Sequence, residues 1–323
     1  MKRDLNFEIK KITAISLFFL FLLLFQTTQA QQNQRIEKFK TKIEVPKSAN
    51  DLKKFLSYRN NNFPIVSAHR GGPMEGFPEN CIATFENTLK HGFALLEIDP
   101  RYTKDSVIIL MHDQTLDRTT NGHGKVSDYT YAEIQKLFLK DITGKLTTYK
   151  IPTLDEVLVW AKGKTILVID EKDVPLEARV NKIKQHKAQA SALVIAYKPE
   201  DISLSYKLDK NIMMEIMMDK IEMADTFEKL NIPWSNVVAF VGHNPPISRN
   251  IIDLIHKKNV KCIVGSSRNI DKDFIQGKID QQELSAGFHQ LIHSGADIIE
   301  ADLGILAIES LKNISKKGVS NAK

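Results

Sequence analysis

The chain has 323 residues, 42% of them hydrophobic and 26% charged, a globular composition long enough for one large domain or two small ones. Its formal charge is +6, but the basic residues are dispersed apart from a short tail at Lys312, Lys316, Lys317 and Lys323, and no basic, aromatic-interleaved patch suggests a nucleic-acid partner. The two cysteines, Cys81 at a helix start and Cys262 in a distant strand, read as free buried thiols rather than as a disulfide.

At the N-terminus Lys2, Arg3, Lys10 and Lys11 precede an apolar run from Ile12 to Phe25, and Thr28-Gln29-Ala30 places small residues where a signal peptidase reads. This predicts a secretory signal peptide over residues 1–30, cleaved near Ala30, and an exported protein, periplasmic or secreted. The apolar run is too short for a spanning helix, which needs ~20 residues, so no stable membrane insertion is expected after cleavage. Residues 31 to 60 are rich in Gln and Lys and read as a lead-in with one helix around Leu52–Tyr58.

From there short apolar runs alternate with amphipathic stretches. The runs are Pro64–Ala68, Ala94–Ile98, Val107–Met111, Thr165–Ile169, Ala192–Ala196, Ile212–Met217, Val237–Val241, Val260–Val264 and Asp297–Ala301. Between them lie helix signals: Ile82, Phe85 and Leu89 on one face closed by Gly92, and capping boxes at Thr130/Glu133 and Thr153/Glu156. Strands alternating with helices imply a parallel sheet in an α/β protein, and about eight such units in roughly 260 residues fit a TIM-type (β/α)8 barrel over residues 61–323. Nine runs is one too many, and Val237–Val241 reads as the weakest strand. The link from Asp99 to Val107 is too short for a helical crossover, so this repeat either lacks its helix or makes a local hairpin. Residues 114–150, rich in Thr, Gly, Asp and Lys, read as a small inserted lobe after the third strand.

The ionisable residues fall at run ends. His69 and Arg70 follow the first run, Glu97 and Asp99 close the second, His112 ends the third, and Asp170 and Lys172 end the fourth. Glu97 and Asp99 sit at i and i+2, which in a strand directs both carboxylates to one face and makes a hard-cation site. In a TIM barrel the C-terminal strand ends form the active-site face, so four successive runs ending in such groups predict one site there.

These residues also resemble a known family. The segments AHRGG, FPEN, ATFENTLKHGFALLEID, TKDSVIILMHDQTLDRTTNGHGKVSD and IPTLDEVL, with Asp170–Lys172 and SGADIIEADLG further on, look like the glycerophosphodiester phosphodiesterase family. The resemblance implies a TIM barrel with a small lobe after His112-Asp113. It also implies a divalent metal, often Ca2+ or Mg2+, and hydrolysis of small-molecule glycerophosphodiesters to glycerol 3-phosphate and an alcohol. On that reading Glu97, Asp99 and Asp170 hold the metal, and His69 and His112 resemble the acid–base pair. Arg70 and Lys172 contact the phosphate, and Glu79 braces Arg70 or approaches the site. Asn80 reads as a helix cap, Arg118 as a structural brace, the Glu300-Ala301-Asp302 segment as pocket lining, and His243, a lone histidine after a strand, carries little signal for a place in the pocket; the other histidines read as surface or packing residues. The chain has Asp170 where that family commonly has a glutamate, so its third metal ligand is one methylene short. Two alternatives are a phospholipase D-like barrel acting on choline-headgroup lipids, which needs an apolar rim that the sequence does not offer, and a barrel that binds glycerophosphodiesters without cleaving them.

Overall fold

Eight of the nine apolar runs become the staves of a closed barrel in the computed structural model. It describes residues 43–60, 63–243 and 247–312, and the chain from Val45 onward forms one compact unit. The strands are β1 (Ile65–Ala68), β2 (Leu95–Ile98), β5 (Ile166–Ile169), β6 (Ala192–Ala196), β7 (Met213–Met217), β8 (Val237–Gly242), β9 (Cys262–Gly265) and β10 (Ile298–Ala301). All pair in parallel, each with its barrel neighbours, and β10 returns to β1 in the register Ile65↔Ile298 to Ala68↔Ala301. The expected signal peptide and residues 31–42 of the lead-in lie outside the described residues; among those described, no helix is long and apolar enough to cross a membrane.

The two faces of each strand follow from its period of two. Val66 and Ala68 of β1, Leu96 and Ile98 of β2, Met214 and Ile216 of β7, and Ile299 and Ala301 of β10 face outward and join the core shared with the helices. The residues between them face the barrel interior, so Ser67, Glu97, Glu215 and Glu300 point inward and all four are buried. The helical layer is α2 (Ile82–His91), α4 (Leu154–Ala161), α5 (Leu176–Gln185), α6 (Pro199–Leu208), α7 (Ile221–Lys229), α8 (Arg249–Lys257), α9 (Ile270–Ile275), α10 (Gln281–His293) and α11 (Gly304–Leu311). The predicted capping box of α4 is present: the Thr153 hydroxyl accepts from the Glu156 N–H, while the Glu156 carboxylate accepts from the Thr153 N–H at 2.7 Å. Ahead of the barrel, α1 (Ala49–Phe55) starts at Ser48 and lies at the N-terminal strand ends, where Lys53 reaches the carbonyl of Lys210 and the side chain of Asn236.

The surplus run is Val107–Met111, not Val237–Val241. Its strand, β4 (Ile108–Leu110), pairs antiparallel with β3 (Pro100–Tyr102) and stands outside the barrel. Only eight residues separate Asp99 from Ile108, enough for a hairpin and too few for a parallel crossover. The third barrel strand is therefore Ile166–Ile169, and His112 follows a hairpin strand rather than a barrel strand. Beyond the hairpin come a 3-10 turn at Val126–Asp128 and the one-turn helix α3 (Tyr131–Ile134), packed on a second apolar cluster of Ile109, Met111, Leu116, Val126, Ile134, Leu139 and Ile151. Cys81 packs into that cluster, and both cysteines are buried, with no disulfide between them.

Candidate active site

Sharp turns at the C-terminal strand ends aim the reactive groups. After β1 the chain passes through three residues of positive φ: Arg70 at 52°, Gly71 at 83° and Gly72 at 81°. This turn points the Arg70 N–H at Glu97 Oε2, 2.8 Å away. It leaves His69 with Nδ1 at 2.5 Å from Asp302 Oδ1 and Nε2 at 3.8 Å from Glu97 Oε2. Burial works against a charge on His69, but the Asp302 hydrogen bond and the carboxylates of Glu97 and Glu300 outweigh it and raise its pKa to about 10.

Glu97, Asp99 and Asp170 converge, one oxygen of each lying within 4.8 Å of the others. Asp99 is fully buried, and Asn80 holds it twice: its amide donates to Asp99 Oδ2 at 2.6 Å, and its carbonyl oxygen accepts from the Asp99 N–H at 3.0 Å. Asn80 is thus not the expected helix cap. It adopts a φ of 56° and turns its side chain inward, and Cys81 occupies the cap position of α2. Lys172 bridges Asp99 and Asp170, its Nζ 2.9 Å from Asp99 Oδ1. Asp170 also accepts from the hydroxyl of Tyr197. Burial, then the neighbouring Asp99, push the Glu97 carboxyl well above the usual range. Crowded hard oxygen donors that cannot all ionise unaided fit a divalent cation.

His112 flanks the cluster from the hairpin side. The Arg101 guanidinium holds its carbonyl at 2.7 and 3.0 Å, and Asp113 Oδ1 lies 2.8 Å from its Nδ1. Each of the two imidazoles thus has Nδ1 engaged by a carboxylate and Nε2 free of that bond. Arg70 reaches Glu79 through Nη1 at 3.2 and 3.3 Å, while its buried Nε has no partner. Glu79 is itself buried, and Arg118 binds both its oxygens at 2.8 Å. Both are therefore taken up by arginines.

The interior adds carboxylates that sequence reasoning missed or ranked low. Glu215 is buried, one of its oxygens has no partner, and burial followed by Glu300, Asp170 and Glu97 drives its pKa well up. Glu300 is raised to about 7, burial being the main cause. Glu171, on the opposite face from Asp170, pairs with the buried Arg179 at 3.1 Å. His243 packs its ring on Phe240, 4.7 Å between centroids, and burial with the nearby Arg268 lowers its pKa to about 4. It fits there because residue 265 is glycine: a Cβ on Gly265 would stand 2.2 Å from His243 Nδ1. The remaining histidines lie outside the site, His91 on Glu309, His186 on Asp155, His256 on Asp297, His289 on the Ser310 carbonyl, and His123 and His293 exposed. His256, Cys262 and Asp297 form a second close group at the N-terminal strand ends, where Asp297 accepts from His256 and from the Cys262 N–H.

Comparison with known proteins bears on this geometry. A model of the glycerophosphoryl diester phosphodiesterase family matches residues 69–273. The glycerophosphodiester phosphodiesterase of Caldanaerobacter subterraneus subsp. tengcongensis is 43% identical over 105 residues, 32% of this chain and 43% of the relative. The glycerophosphodiester phosphodiesterase of Bacillus altitudinis is 32% identical over 211 residues, 59% of this chain and 81% of the relative. The chain thus spans less than half the length of the first of these relatives. Among solved structures, a glycerophosphoryl diester phosphodiesterase from Parabacteroides distasonis ATCC 8503 is similar with a TM-score of 0.80 at 39% identity, covering 85% of this chain and 96% of that one.

Proposed function

This chain belongs to the glycerophosphoryl diester phosphodiesterase family, and from that premise we propose that it hydrolyses glycerophosphodiesters to glycerol 3-phosphate and an alcohol with His69 and His112 as the acid–base pair. The observation that carries the reading is the pair of imidazoles, each held at Nδ1 by its own carboxylate and flanking the Glu97–Asp99–Asp170 cluster. A phosphodiester is anionic and resists nucleophiles, so its cleavage needs charge neutralisation and two proton transfers.

Glu97, Asp99 and Asp170 would hold the divalent cation, which would neutralise phosphate charge as a Lewis acid. Arg70 engages Glu79 through Nη1 alone, which leaves its Nη2 as the donor for a phosphate oxygen. Lys172 adds an ammonium at the same edge and keeps Asp99 and Asp170 in their places. His69 lies among carboxylates that favour the imidazolium, the state that gives a proton to the leaving alkoxide. His112 takes the proton of the nucleophile, which is either water, giving glycerol 3-phosphate directly, or the glycerol 2-hydroxyl, giving a cyclic phosphate that water then opens. Glu79 acts on Arg70 rather than on substrate, since both its oxygens are engaged.

Export rests on residues 1–30, and N-terminal sequencing of the mature protein tests it: a chain beginning near Gln31 supports the signal peptide, and one beginning at Met1 overturns it. The activity is tested by stripping the purified protein with chelator, restoring Ca2+, Mg2+ or Mn2+, and measuring glycerol 3-phosphate release from several glycerophosphodiesters. Release that no metal restores, or full activity in His112→Ala, overturns the proposal. Faster cleavage of intact phospholipid than of its deacylated form supports the lipase-like alternative instead.

A further inference from the structure

One guanidinium joins the two halves of the site. Arg118, in the loop beyond the hairpin, binds Asp113 through Nε at 2.7 Å and Nη2 at 2.9 Å, and binds Glu79 through Nη1 and Nη2 at 2.8 Å each. Asp113 in turn holds Nδ1 of His112, and Glu79 holds Nη1 of Arg70. The ladder His112–Asp113–Arg118–Glu79–Arg70 therefore runs unbroken from an acid–base imidazole to the phosphate clamp.

Exposed ion pairs generally contribute little, and Arg118 is about half exposed. This one differs in two respects. Glu79 is buried, so it must be hydrogen-bonded where it stands. Both carboxylates are also gripped by two N–H groups each, a geometry that fixes their orientation as well as their position and that a lysine does not reproduce. Without the guanidinium, Asp113 is free to rotate away from His112, and Glu79 keeps Arg70 as its sole counter-charge and draws it off the mouth. We infer that Arg118 is a positioning residue that sets the His112 imidazole and the Arg70 guanidinium in register with each other.

The inference rests on the phosphodiesterase reading for its consequence but not for its geometry, and two measurements keep them apart. In kinetics, Arg118→Ala lowers kcat roughly a hundredfold and raises KM, as expected when reacting groups shift by about 1 Å, and Arg118→Lys recovers only part of the loss. In proton NMR of the purified protein, the hydrogen-bonded Nδ1 protons of His69 and His112 are assigned by their loss in His69→Ala and His112→Ala. Arg118→Ala is expected to abolish or shift the His112 signal and leave that of His69, whose partner Asp302 lies outside the ladder. Both signals unchanged overturns the inference, and so does loss of both, which signals general disruption. A wild-type protein without phosphodiesterase activity sinks the functional reading while the NMR comparison still decides the role of Arg118.

Discussion

Asp302 Oδ1 stands 2.5 Å from Nδ1 of His69, tying the turn after the first barrel strand to the turn after the last. The strands they follow are hydrogen-bonded neighbours, so the contact sits at the seam where the barrel closes. Asp302 is braced in its turn: its N–H donates to Asp271 Oδ2 at 2.8 Å, and that oxygen also accepts from the Ser266 hydroxyl. Burial disfavours the Asp302 anion, but the His69 contact more than compensates and lowers its pKa. His112 has its own carboxylate, Asp113, whereas His69 also faces the interior carboxylates Glu97 and Glu300. Two imidazoles in unlike surroundings is the arrangement that separates an acid from a base.

Asp302→Asn is the direct test of that separation. The amide keeps the shape and removes the charge that favours imidazolium. We expect kcat to fall about a hundredfold or more, the scale of a lost general acid. We also expect the alkaline limb of the kcat–pH profile to move to lower pH, because the His69 proton is held less tightly. A profile that keeps its alkaline limb shows that His69 is not the acid.

Tyr197 tests the proposed third metal ligand. Its hydroxyl donates to Asp170. Tyr197→Phe removes that bond and little else, since the ring is already 43% exposed. Loss of an outer partner of a metal ligand weakens binding about 10- to 100-fold, and calorimetric titration of the chelator-stripped variant with Ca2+ measures it. Affinity equal to the wild type removes Tyr197 from the site.

The turn carrying His69 and Arg70 tolerates no side chain at Gly71. Its φ is +83°, and a Cβ there would lie 2.2 Å from the buried ring of Phe85. Gly71→Ala therefore combines left-handed backbone strain with overpacking and is expected to lose about 2–5 kcal/mol of stability. Gly76→Ala is the control, with a φ of +78° but open space around the new methyl, and should lose about 1 kcal/mol. Urea unfolding of the two variants gives the difference, and equal losses rule out the clash with Phe85.

The barrel was legible because each stave is a short apolar run bounded by breakers, and the helices between them carry a 3.6-residue period. The hairpin strand Ile108–Leu110 was not separable from a stave by composition, since it is equally apolar and buried; only the short link after Asp99 hinted at it. Val237–Val241 looked weak on its own and is held in the barrel by pairing with both neighbours. The reactive groups of the first four runs were visible as motif residues at run ends. Glu215 was not, because a single carboxylate inside Met213–Met217 has no sequence partner, and its meaning depends on which face of the strand points inward. Asn80 carried a misleading signal: a polar residue before a helix reads as a cap, and only its left-handed backbone turns the side chain onto Asp99. The pairing of Asp302 with His69 spans 233 residues of chain and required the barrel to close.

The crowded carboxylates make stability depend on both pH and metal, with a definite sign. Burial is the main reason that Glu300 rises from 4.5 to about 7, and it drives Glu97 and Glu215 up as well. Between pH 4.5 and about 7 the folded chain therefore holds a proton on Glu300 that the unfolded chain has released, so stability falls as pH rises through that window. His69 extends the decline in the same direction, from 6.5 to about 10. Asp99 and Asp302 are lowered instead, and their contribution is lost only at the acid end, below their ordinary value of 3.8. A divalent cation favours the anionic carboxylates and binds the folded state, so it should flatten the decline and stabilise more at higher pH. Melting temperatures in chelator and in excess Ca2+, stepped from acid to alkaline pH, measure both effects. A chelator-treated protein whose melting temperature rises between pH 4.5 and 7 contradicts the protonated interior, and a Ca2+ increment that does not grow with pH contradicts the metal assignment.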